Sequence, residues 1–141
     1  MSGTFQSYLQ LMRLKNVLLA AITVPLGAQF AIGDEWATEQ LTEVVLQILA
    51  VVFFIGAGNT MNDIKDVAID REAHPNRPLP SGIISIDSAK KFVKLLWALS
   101  VICVLSGAYL LSTSGHSSVE LLAIYVICLL YTSDAADDFT S

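Results

Sequence analysis

The sequence predicts an all-α fold, a multi-span transmembrane helix bundle. Three observations carry that prediction. Hydrophobic residues make up 54% of the 141 positions and charged residues only 15%, with a mean hydropathy of +0.61; soluble domains average about 25% charged. The charges leave three long gaps: Asn16 to Gly33 (18 residues), Val44 to Asn62 (19) and Leu95 to Val119 (25). Each gap approaches or exceeds the roughly 20 apolar residues that cross a hydrocarbon core. Finally, all 8 basic residues lie before the first gap or between the second and third.

Taken in order, the elements follow from those gaps. The first expected span, 16–33, contains Pro25, whose missing N–H should kink it, as membrane helices tolerate. Its apolar run is long for a signal-peptide core, and the segment before it is half apolar (Phe5, Tyr8, Leu9, Leu11, Met12), so a cleaved leader is not expected. The loop at 34–43 carries Asp34, Glu35, Glu39 and Glu43 and no basic residue. A second span is expected at 44–62. Beyond it, a helical pattern continues toward Pro75, and Pro78, Pro80, Ser81 and Gly82 then make an irregular loop. Asp87 or Ser88 is the expected N-cap of a helix that runs through Lys90, Lys91 and Lys94 into the third span, 95–112. A fourth span is expected to start at Val119.

Arg13 and Lys15 precede the first span, and Lys65, Arg71, Arg77, Lys90, Lys91 and Lys94 fill the segment between the second and third. The positive-inside rule therefore places the N-terminus and residues 63–94 in the cytoplasm of a multi-pass cell-membrane protein. The net charge of -5 leaves no broad basic footprint, so no nucleic-acid partner is expected. Two cysteines make no disulfide scaffold. Gly56 and Gly58 follow no strand, which argues against a phosphate-cradling P-loop and for close helix packing.

The stretch that carries chemistry is Gly56 to Gly82, GAGNTMNDIKDVAIDREAHPNRPLPSG. Asn62, Asp66 and Asp70 recur every four residues, which on one helix stacks them on one face. Asn59 and Asp63 lie near that face. Stacked carboxylates repel, and a cation relieves the repulsion. Oxygen-only donors favour a hard ion such as Mg2+, commonly held by one or two carboxylates together with substrate phosphates. Lys65, Arg71 and Arg77 can bind phosphate oxygens directly. Acidic donors, Mg2+ and arginines together describe a diphosphate site. Read bare, the same spacing also fits a solvated juxtamembrane helix end, or a transporter or cation-binding module using Asp66 and Asp70. Arg13 and Asn16, one turn apart at the edge of the first span, are candidates for contact with a phosphate or an acceptor headgroup, or serve as topology anchors. His74 beside Pro75 is a further phosphate donor or a plain loop residue.

The motif N-D-x-x-D-x-x-x-D followed by N-R-P-L-P-S-G resembles the first aspartate-rich motif of the UbiA-type intramembrane prenyltransferases. The opening Y-L-x-L-x-R-L-K-N, Tyr8 to Asn16, is similar to that family's start, and the resemblance covers residues 8–112. It implies that this chain is the N-terminal part of a nine-helix prenyltransferase fold. It also implies a prenyl diphosphate donor bound through Mg2+ and a lipid-like prenyl acceptor. By position, Asn62, Asp66 and Asp70 match the metal–diphosphate ligands, Asp66 and Asp70 being the catalytic pair, and Arg77 matches the arginine of the following loop. Arg71, Lys65, Arg13 and Asn16 are the further substrate-binding candidates. The family's second aspartate-rich motif has no counterpart here. Within the family, D-R-E-A-H-P-N-R-P-L-P-S-G looks most like archaeal digeranylgeranylglyceryl phosphate synthases, which join a geranylgeranyl group to geranylgeranylglyceryl phosphate. Chlorophyll synthases are the main rival. The 4-hydroxybenzoate polyprenyltransferases, with R-P-L-A-S-G in that loop, fit less well.

Residues 128–138, CLLYTSDAADD, resemble one reading frame of a common transposase sequencing adapter. The expected organisation is therefore a membrane prenyltransferase segment at 1–127, its fourth span truncated at 119–127, and an extraneous tail at 128–141. Such a segment, with half a site, is expected to be inactive alone.

Overall fold

The computed structural model describes residues 2–115, 117–119, 122, 123, 125–127 and 130. All regular structure among them is helical: α1 (Ser2–Met12), α2 (Leu14–Ile32), α3 (Glu35–Thr38), α4 (Leu41–Lys65), α5 (Val67–Ala73) and α6 (Ile86–Thr113). Three of these helices are long and apolar enough to cross a membrane. They are α2, α4 and α6, with mean hydropathies of 1.4, 2.1 and 2.0 over their most apolar windows. They fall where the three spans are expected: α2 begins two residues earlier and ends one short, α4 is longer by three at each end, and α6 begins nine residues earlier. The lead-in to the first span is itself a helix, α1, and the acidic loop contains the single turn α3. Of the expected fourth span, Val119, Leu122, Ala123 and Tyr125 to Ile127 are helical. Its other positions, and the 128–141 tail apart from Leu130, lie outside the described residues.

α4 packs along α6 and, less extensively, along α2 and α1. Three apolar clusters hold this arrangement. At the end carrying the basic residues, Leu11, Leu79, Ile84 and Ala89 pin the proline-rich loop between α1 and the start of α6. Next to it, Met12, Val17, Ala57, Val93 and Leu96 join α1, α2, α4 and α6. Further along, Ala50, Cys103 and Val104 close α4 on α6. There the buried Ser100 hydroxyl donates to the Ala50 carbonyl at 2.9 Å and accepts from the Tyr125 hydroxyl at 2.7 Å. Such a bond fixes the register of two helices where side-chain hydrophobicity alone gives no preference in lipid. α2 buries only Val17, and its Leu18, Leu19, Ile22, Leu26 and Phe30 are exposed, an apolar surface that lipid or further helices can cover.

Two expectations are corrected. The N-cap of α6 is Ser85, not Asp87 or Ser88. Ser85 is extended, at φ -72° and ψ 152°, and its hydroxyl accepts from the Ser88 N–H at 3.1 Å. A cap residue sits outside the helical backbone region, and Asp87 and Ser88 already lie inside the first turn. In addition, the helix leaving the second span is not continuous to Pro75. It breaks at Asp66, where ψ is 1° in place of the helical value near -42°.

Candidate functional site

The site is built around a junction in the backbone. Arg13 links α1 to α2 in the left-handed conformation, φ 54° and ψ 65°, and is the one non-glycine residue with positive φ among the described residues. That conformation costs a residue with a Cβ roughly 1–2 kcal/mol, so the surroundings must hold it. They do so through α4. The Asn59 side-chain amide donates to the Met12 carbonyl at 2.8 Å, satisfying the end of α1. One turn later, the buried Asp63 carboxylate accepts from the Arg13 guanidinium at 2.7 Å. One turn earlier still, Gly56 lets Met12 lie against α4, for a Cβ there would stand 2.6 Å from the methionine Cε. Sequence reasoning gave Asn59 and Asp63 no distinct role. Their signal was present: two polar residues one turn apart, at the end of an apolar span, facing a basic lead-in.

Arg13 lines two polar cavities. One, of about 270 Å3, is lined by Arg13, Asn62, Lys65 and Asp66. The other, of about 660 Å3, lies between the end of α1 and the loop after α5. Its lining includes Gln10, Arg13, Asp63, His74, Asn76 and Arg77. Asn62, Lys65 and Asp66 are exposed, as are Arg71 on α5 and Asn16 in the first turn of α2.

The structure thus brings Asn62 and Asp66 together with Lys65 and Arg13. Asp70 does not line that cavity, and its carboxylate is already engaged. Asp70 is buried, 6% exposed, and its carboxylate accepts from Arg77 at 2.8 Å with the His74 Nδ1 at 3.4 Å. The Asp70 N–H still donates to the Asp66 carbonyl at 2.8 Å, so the residue stays one turn beyond Asp66 while its side chain is held by Arg77 and His74. Burial by itself would raise the Asp70 pKa, but hydrogen bonding and charge from Arg77, with a smaller share from His74, outweigh it and hold the carboxyl below its ordinary 3.8. Asp70 is therefore an anion at neutral pH with its countercharge in place.

The donor set suits a hard divalent ion. Asn62, Asp66 and Asp70 offer oxygen only, and the first two share one cavity. Among the described residues there is no group of three His, Cys, Asp or Glu side chains that could hold a metal by themselves. Asn62 and Asp66, an amide and a carboxylate on one cavity, fit instead a cation that takes its remaining ligands from phosphate oxygens.

Residues 17–139 match the UbiA prenyltransferase family. The chain belongs to that family. The digeranylgeranylglyceryl phosphate synthase of Methanocaldococcus jannaschii is 40% identical over 98 residues, covering 69% of this chain and 33% of that protein. The enzyme of the same name from Methanosphaera stadtmanae is 35% identical over 124 residues, covering 88% of this chain and 42% of the relative. A solved structure from work on digeranylgeranylglyceryl phosphate synthase in membranes superposes with a TM-score of 0.66 at 36% identity, over 73% of this chain and 36% of that one. The chain spans about a third of the length of the first of these curated relatives. As a UbiA family member with three apolar spans it is a membrane protein, and its all-helical fold agrees with that neighbour.

Proposed function

We propose that the chain is the N-terminal part of an enzyme that transfers a geranylgeranyl group from its allylic diphosphate to geranylgeranylglyceryl phosphate, in archaeal ether-lipid synthesis. The observation that carries the reading is the grouping of oxygen donors and cations at one end of the helix bundle. Asn62 and Asp66 share a cavity with Arg13 and Lys65, and Asp70 lies one turn on with Arg77 on its carboxylate. The names of the relatives support the choice of acceptor.

Asn62 and Asp66 would hold Mg2+, which when bound neutralises the diphosphate as a leaving group, and Asp70 would join them by exchanging its Arg77 contact for the ion. Lys65 and Arg13 bind diphosphate oxygens from the rim of the same cavity. Arg77 anchors Asp70 and can share its remaining N–H groups with phosphate, with Arg71 and Asn16 at the periphery. Preorganised charge of this kind stabilises the transition state more than the ground state, because negative charge concentrates on the departing diphosphate. The carboxylates stand at or beyond the end of the apolar span, not within it, which disfavours an ion path through the bundle. The basic end of the bundle, including the N-terminus and 63–94, faces the cytoplasm in this reading.

The test uses membranes containing the full-length protein. Labelled geranylgeranyl diphosphate should label geranylgeranylglyceryl phosphate and leave aromatic acceptors and chlorophyllide unlabelled. Labelling of one of those acceptors instead would overturn the assigned acceptor, and labelling of none would overturn prenyl transfer.

A further inference from the structure

Apart from Arg13 and Arg77, the lining of the larger cavity has no part in holding the diphosphate. The cavity shares Arg13 with the Asn62–Asp66 cavity, but the rest of its lining is Gln10, Asp63 and the 73–78 loop. Its one lining carboxylate, Asp63, is already paired with Arg13, so the cavity offers no free cation ligand. It is rich in donors. The ion pairs of Arg13 and Arg77 each engage one guanidinium nitrogen, Nη2 and Nη1 respectively. A guanidinium carries five N–H groups, so each retains others suited to phosphate oxygens. Gln10, His74 and Asn76 add further polar groups around the same space.

A third cavity, about 420 Å3, adjoins this one by sharing Gln10 and Arg13. Beside the shared pair its walls are Gln6, Leu9, Leu14 and Lys15, and the surface they present is mostly apolar. Leu14 is the first residue of the apolar helix α2. A donor-rich cavity at the bundle end therefore adjoins a mostly apolar one that reaches the first residue of the apolar helix α2. That pairing fits an amphiphile with an anionic head and a hydrocarbon tail.

Resting on the prenyl-transfer reading, we propose that the cavity of Gln10, Arg13, Asn76 and Arg77 is the phosphate subsite of the lipid acceptor, separate from the metal–diphosphate site and metal-independent. Arg13 stands between the two phosphates and sets the acceptor head beside the donor. Asp63 is a positioning residue that aims it.

The experiment measures equilibrium binding to the full-length protein in EDTA, without turnover. Three ligands are compared: geranylgeranylglyceryl phosphate, phosphatidylglycerol as a bilayer phosphodiester, and, with Mg2+ restored, geranylgeranyl diphosphate. The acceptor should bind without metal. In the Gln10→Ala, Asn76→Ala double variant its affinity should fall about tenfold, the effect of losing hydrogen bonds to a charged group, while donor affinity stays within about twofold. Both substitutions are at exposed positions, and retained donor binding reports a folded protein. The proposal is overturned if donor affinity falls in place of acceptor affinity, if neither changes, or if phosphatidylglycerol binds as tightly as the acceptor. Expected binding in a protein that transfers no prenyl group would uphold the subsite and remove the prenyl-transfer reading instead.

Discussion

Arg13 and Asp63, fifty residues apart in sequence, meet at 2.7 Å, and their contact holds the left-handed junction between α1 and α2. Both members of the pair matter, but unequally. Asp63 is buried, whereas the Arg13 side chain is 39% exposed. Removing the arginine leaves a buried carboxylate without its partner, which costs roughly 1–3 kcal/mol. Asp63→Asn leaves an amide that still hydrogen-bonds, at a smaller cost.

Arg13→Ala should therefore destabilise the protein more than Asp63→Asn, by thermal unfolding in one detergent. Arg13→Gly loses the same ion pair yet adopts φ 54° without strain. It should be more stable than Arg13→Ala by about 1 kcal/mol. Equal melting of the glycine and alanine variants would contradict the left-handed junction.

At the start of α6, Ser85→Ala should cost about 1 kcal/mol, the usual loss for an N-cap hydroxyl. Asp87→Asn removes only a favourable charge near the helix N-terminus and should cost a few tenths. The same unfolding measurement ranks the two, and the opposite order would restore Asp87 as the cap.

The three spans were legible because charge-free length is a direct consequence of crossing lipid, and α2, α4 and α6 sit where those gaps fall. The residue types of the site were legible too, since spacing by four is a helical property. What the spacing could not contain was the break at Asp66. Nothing local forbids a continuous helix there, and the spacing does not show that the Asp70 carboxylate is engaged by His74, four residues on, and Arg77, seven on. Arg13 was visible as a charge beside a span. Its left-handed backbone was not, because Asn59 and Asp63 impose it from the far end of α4.

The Asp70–Arg77 pair predicts a pH dependence. A carboxyl whose folded pKa lies below the ordinary 3.8 contributes stability that is fully present above that value. The contribution is lost as pH falls through the lowered pKa. In metal-free protein, the stability difference between the parent and Arg77→Gln should be flat above about pH 5 and shrink on further acidification. A difference that grows as pH falls would contradict the assignment.

Topology gives an independent check. Single cysteines at Ser81, in the proline-rich loop, and at Ser114, just beyond α6, should be labelled from opposite faces of the membrane, with Ser81 cytoplasmic. Labelling of both from one side would contradict the arrangement of α6 as a span.

The central claim is that Asp66 and Asp70 support departure of a Mg2+-bound diphosphate. It is tested most directly by the rate of geranylgeranyl transfer in the full-length enzyme carrying Asp66→Asn or Asp70→Asn, across a Mg2+ titration. Loss of one key preorganised charge is worth roughly 3–4 kcal/mol, or about two to three orders of magnitude in rate. Each variant should therefore be slowed about a hundredfold or more and require more Mg2+ for half-maximal rate. Undiminished transfer in both variants, or the same rate in EDTA as in Mg2+, would contradict the claim.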